Sequence, residues 1–160
     1  MRKLTQAACV VVAAGALAIN PAHASATPGE TAVMPLIGKF RACDFTLEKW
    51  VNAHGYTRGV AHLSTSGPNV VATVDLATAE PNTNYDVRII QTPRASIGCA
   101  PGAPGVITGS VQTDAGGAGS TTLQGPIESS ATGAWVMVQR PAPFSQTPAE
   151  FYTSEFIGSI

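Results

Sequence analysis

Between Val70 and Thr92 the chain reads VVATVDLATAEPNTNYDVRIIQT, and apolar residues twice fall on every second position. Val70, Ala72, Val74 and Leu76 make the first run, and Tyr85, Val87 and Ile89 the second. A beat of two puts side chains on one face of a strand, whereas a helix needs a beat of about 3.6. The segment between the runs, Ala79-Glu80-Pro81-Asn82-Thr83-Asn84, is made of turn formers. The stretch therefore predicts two half-buried β-strands joined by a loop. The alternate residues Asp86, Arg88 and Ile90 read as an ordinary outward row.

The same punctuation continues along the chain. Arg58–Leu76 reads as a hairpin through the turn Ser66-Gly67-Pro68-Asn69. Val106–Thr113 is a predicted strand, followed by the turn Asp114-Ala115-Gly116-Gly117 and a return strand over Ala118–Leu123. Ala134–Gln139 and Glu150–Ile157 complete the set, the last with Tyr152, Ser154 and Phe156 facing inward. Phe40–Asp44 is a candidate first strand. Thr46–Gly55 is the one helix candidate, with Thr46 as cap, Leu47, Trp50 and Val51 at helical spacing and Gly55 as stop; a strand or an irregular connection stays open there. Seven or eight short strands with turn signals about every ten residues predict an all-β, immunoglobulin-like antiparallel sandwich of Greek-key type.

The N-terminus has the form of an export signal. Arg2 and Lys3 precede an Ala/Val-rich run to Ile19, Pro21 breaks it, and Ala22-His23-Ala24 fits small-x-small cleavage. The expected organisation is a signal peptide over 1–24, a flexible Ala/Thr/Pro-rich arm over 25–35 and a single domain over 36–160. Cleavage near Ala24 would make the protein secreted or envelope-associated. Cys43 and Cys99 then remain of the three cysteines, and in an oxidising compartment they are expected to pair. Their separation is too wide for the close spacing of redox or metal-binding pairs. Nine basic residues, less Arg2 and Lys3, leave seven against ten acidic ones, with no basic cluster. Nucleic acid is therefore not an expected partner. No apolar run of spanning length follows the signal, so no transmembrane segment is expected in the mature chain.

Two resemblances add to this. The pattern Leu76…Pro81-x-Thr83-x-Tyr85-x-Val87-x-Ile89 resembles the strand corner of fibronectin type III and related immunoglobulin-like domains. That resemblance implies a Tyr85 hydroxyl bonded back to nearby backbone. The Pro81–Tyr85 hairpin, the Thr113–Gly117 turn, and Gly133-Ala134-Trp135-Val136 with Pro148-Ala149-Glu150-Phe151-Tyr152-Thr153-Ser154 are together similar to small exported proteins of actinobacteria, of mycobacterial type. This second resemblance implies export and a β-sandwich, and it brings no activity and no catalytic residue.

Residues able to carry chemistry are sparse. Mature-chain histidine is limited to His54 and His62, too few for a two-metal site, and no histidine follows Cys99 to build a blue-copper centre. No G-x-S-x-G elbow, phosphate loop, dinucleotide fingerprint or EF-hand is present. Asp44, Glu48, Asp75, Glu80, Asp86, Glu150 and Glu155 all read as solvated carboxylates. No catalytic residue, metal ligand or cofactor is therefore assigned. Trp50, Tyr56, Trp135 and Phe144 remain as a candidate binding surface for a protein, glycan or lipid. The sequence reads as an exported, disulfide-stapled binding or surface-interaction module. The alternatives are a carrier holding a small apolar ligand between the sheets, and a hydrolase using His54 or His62 with a carboxylate.

Overall fold

The computed structural model describes residues 30–52 and 54–160. The predicted signal peptide and the first part of the predicted arm lie outside the described residues. Among the described residues there are nine strands and no helix. They are β1 (Ala32–Ile37), β2 (Arg58–Ser66), β3 (Asn69–Ala77), β4 (Asn84–Thr92), β5 (Val106–Gln112), β6 (Gly119–Pro126), β7 (Gly133–Arg140), β8 (Glu150–Ser154) and β9 (Gly158–Ser159). All pairings are antiparallel, in the order β5-β4-β7-β8-β1-β2-β3-β6, with the short β9 on β7.

Three local expectations need correction. β1 begins at Ala32, so residues 32–35 belong to the sheet and not to an arm. Pro35 hid this strand, since proline is disfavoured in central strands. Here its carbonyl accepts the Glu155 amide, so its missing N–H faces the β8 side, where the ladder pairs only Leu36 and Ile37. Phe40–Asp44 is not a strand: a lone bridge joins Arg41 to Leu47. Among the described residues of the Thr46–Gly55 helix candidate there are a bridge at Leu47, turns and a bend, and no helix.

The largest departure concerns β6. It follows β5 through the expected turn, where Asp114 and Ala118 bond and the Asp114 carboxyl accepts the amides of Gly116 and Ala118. β6 then pairs with β3 along its full length, while β5 pairs with β4. No ladder joins β5 to β6 among the described residues. These two strands are the sheet edges, and they meet, so the sheet is nearly a barrel. Side chains close the seam: Leu123 lies over Gly109, where a Cβ would crowd it, and Ile107 over Gly125, where a Cβ would leave it no room.

The alternation read from the sequence sorts side chains across the inner face except at Phe156, which lies past the end of β8 and is exposed rather than inward. Ala61 and Leu63, Val70 to Leu76 at every second position, and Tyr85, Val87 and Ile89 are all buried in one cluster. Met34, Val111, Val136 and Tyr152 join it from other strands. Burial of this face is the main stabilising term, at about 25 cal/mol per Å² of apolar surface.

A second, smaller core lies on the opposite face of β4 and β7. Ile90, Trp135 and Met137 point outward from the barrel, yet they are buried against Cys43, Cys99, Phe45 and Val106. Ile90 is thus not the ordinary surface expected of its row. The cover is two irregular segments, 38–51 and 93–105, joined by the Cys43–Cys99 disulfide. Phe45 meets Trp135 edge-on at 5.5 Å, and Phe40 meets Phe151 likewise at 5.0 Å. Replacing both cysteines by alanine is expected to cost about 4 kcal/mol, the chain-entropy value for a loop of this length. Because the barrel core does not contain the disulfide, far-UV circular dichroism should keep its β-signature while near-UV signal from Trp135 falls.

Candidate functional site

The two stapled segments do more than cover Trp135. Together with the 141–148 loop after β7 they wall a groove of about 610 Å³ on the outer face of the sheet. Its floor is Arg88 of β4 with Met137 and Gln139 of β7. Arg88 and Met137 are direct cross-strand partners, and Gln139 follows Met137 on the same face. One wall carries Phe40, Glu48 and Trp50, the second Ile97 beside the disulfide, and the third Pro141, Gln146 and Pro148. Trp50 and Ile97 are 79% and 81% exposed, so the rim presents two large apolar side chains to solvent.

Proline and glycine explain why these walls are loops. The segment 93–105 holds three prolines and three glycines, and Gly98, Gly102 and Gly105 all take positive φ. Few ladder bonds are available to such a chain, so its position comes from the disulfide and from local contacts. The Cys43 amide donates to the Ser96 carbonyl at 3.0 Å. Arg94 donates to the carbonyls of Gly98 and Pro104. On the facing wall Arg41 stacks on the Phe45 ring at 3.8 Å and donates to the Phe45 carbonyl. Desolvation lowers the Arg41 pKa from its ordinary value, partly opposed by the charge of Glu155.

A polar cluster that sequence reasoning missed lies at one end of the barrel. Glu150, read as a solvated carboxylate, is 5% exposed. Its Oε1 accepts two bonds from Arg140, at 3.0 Å from Nε and 2.7 Å from Nη2. Its Oε2 accepts the hydroxyls of Tyr85 at 2.9 Å and Tyr152 at 3.1 Å. Each phenol oxygen also receives a backbone amide, Glu80 on Tyr85 and Thr57 on Tyr152. The Tyr85 hydroxyl is thus tied to backbone five residues upstream, at Glu80. Gly55, at φ +102°, lies directly over this cluster: a Cβ there would stand 2.7 Å from Glu150 Oε2 and strike the Tyr152 hydroxyl. The cluster is thus covered by backbone, which suits a structural joint rather than a reaction centre. The sequence signal was faint, a Glu opening the apolar strand EFYT opposite the Arg that closes β7.

The four predicted surface aromatics separate. Trp50 stands on the groove rim. Trp135 is fully buried beneath Phe45 and the disulfide, so it supports the groove and touches no solvent. Phe144 is fully exposed at the tip of the 141–148 loop, and Tyr56 is 93% exposed outside the groove lining. His62 and Asp75 approach to 3.8 Å, as their hairpin register allowed, on the exposed outer face of β2 and β3. His54 is exposed on the connection before β2. Among the described residues no three of His, Cys, Asp and Glu gather as a metal site, and no helix is long and apolar enough to cross a membrane.

No protein-family model, no curated protein and no solved structure matches the chain.

Burial raises the pKa of both Tyr85 and Tyr152 above the ordinary phenol value of 10.0. Above pH 10 the unfolded chain therefore releases these protons while the folded chain keeps them. Stability should be full below that pH and fall as pH rises toward the folded values. Tyr85→Phe should cost about 1–3 kcal/mol, the penalty of leaving the Glu80 amide and a Glu150 oxygen short of a partner. It should also flatten the alkaline slope in denaturant titrations, and an unchanged slope would show that Tyr85 does not contribute to it.

Proposed function

We propose that this protein is an exported, non-catalytic binding module and that the groove over β4 and β7 is its binding surface. The observation that carries the reading is the groove itself. Its volume falls within the roughly 300 to 1,000 Å³ typical of ligand sites. Its rim exposes Trp50 and Ile97, and its walls are held by a covalent cross-link. Apolar side chains left in solvent around a concavity are a common mark of a partner site.

Export rests on the N-terminal sequence, and a disulfide is compatible with an oxidising compartment. In the same reading the frame is an immunoglobulin-like sandwich of Greek-key type. Two features support this: the sheet narrows to a two-pair join between β1 and β8, and Tyr85 holds the corner backbone. Ligand carriage between the sheet faces is less favoured, because Met34, Leu63, Val74, Val87 and Ile89 fill that space.

Protein purified from its natural source and examined by native mass spectrometry should carry a bound species. The double variant Trp50→Ala with Ile97→Ser should lose it. Both residues are exposed, so its stability should stay within about 0.5 kcal/mol of the parent. Retention of the same species by that variant would remove the groove from consideration.

A further inference from the structure

We infer that the groove takes an amphiphile with a single carboxylate head and an aliphatic tail, and that Arg88 is its head-binding residue. The inference rests on the groove being the binding surface. It comes from how charge and apolar area are divided across the floor.

Arg88 is half-buried on β4, and neither ion pair found among the described residues includes it. Among the described residues its side chain makes one hydrogen bond, a long one of 3.4 Å from Nη1 to the Cys99 carbonyl. A guanidinium offers five donors in a planar fork that matches a carboxylate. Most of that capacity is unused here. Gln139, diagonal to Arg88 on the same face, adds an amide donor at the same end of the floor. The other cation in the lining, Arg41, is occupied by the Phe45 ring and carbonyl.

Beside Arg88 the surface turns apolar. Met137 is its cross-strand partner, and Phe40, Trp50 and Ile97 continue the apolar lining up the walls. Methionine and flat aromatic rings adapt to a flexible chain without demanding a fixed shape. Glu48 is the one carboxylate in the lining, and it lies on the Trp50 wall rather than the floor. Asp86, two residues before Arg88 on β4, is outside the lining and makes no ion pair with it. An anionic head at Arg88 therefore meets donors, and a tail beside it meets carbon.

Three probes with one tail separate head from tail: dodecanoate, dodecanol and dodecyltrimethylammonium, each titrated calorimetrically below its micelle concentration. The expected order is dodecanoate tightest, dodecanol weaker by about tenfold or more, as for loss of a charge-assisted hydrogen bond, and the cation weakest. Arg88→Gln should abolish the preference for dodecanoate while leaving dodecanol affinity unchanged. Arg88→Lys should keep part of the preference, and near-UV circular dichroism of both variants should match the parent. Equal binding of dodecanoate and dodecanol, a preference that survives in Arg88→Gln, or no binding of dodecanoate would each overturn the inference. If a natural species bound through Trp50 and Ile97 is found but dodecanoate does not bind, the ligand class falls and the groove reading stands. If neither is found, both fall.

Discussion

The carboxyl group of Glu150 is the joint on which the barrel end depends. Burying such a group is costly unless its lone pairs are filled. Here Arg140 fills one oxygen, and Tyr85 and Tyr152 fill the other. Through the phenols the joint reaches further, to the Glu80 amide in the β3–β4 connection and the Thr57 amide just before β2. One side chain thus coordinates β4, β7, β8 and two connections. Packing alone gives a barrel its interior, but it does not register loops at the ends. Directional bonds in a low-dielectric site do so, because any shift leaves a buried donor or acceptor unpaired.

The other organising device is covalent. Ile90, Trp135 and Met137 leave an apolar patch on the outer face of β4 and β7, and an open patch there would be an aggregation hazard. Two loops poor in regular hydrogen bonds cover part of it, and the Cys43–Cys99 bond sets their separation. Cover over Trp135 and Met137 and an opening over Arg88 arise from the same two loops. The groove is therefore a consequence of how the second core is closed. Buried Trp135 and exposed Trp50, which look alike as sequence, are the support and the rim of one structure.

Much of the frame was legible because its signals are local. The period-two runs of β3 and β4 placed their inward residues correctly, and the two cysteines paired as export chemistry suggested. Pro35 concealed β1, since the rule against proline in central strands assumes a partner on both sides. The apolar spacing at Leu47, Trp50 and Val51 suggested a helix that tertiary contacts do not support: the Glu48 amide bonds to Phe40 and Ala42 to Thr46, forming a tight loop instead. β6 was read as the return of β5 because neighbouring strands usually pair. Pairing with β3 is a long-range choice, and it needs only that Leu123 and Ile107 pack across two glycines.

Local chemistry was enough for the all-β class, the inward face of most strands and the disulfide. Each follows from chemistry within a few residues or, for the cysteines, from the absence of another partner. The near-barrel curl of the sheet, the burial of Glu150 and Ile90, and the placing of Arg88 beside Met137 beneath Trp50 and Ile97 came from tertiary contacts instead. Those outcomes depend on which distant segments meet on one face of the sheet. Local periodicity sets which way a side chain points, but not what comes to lie over it.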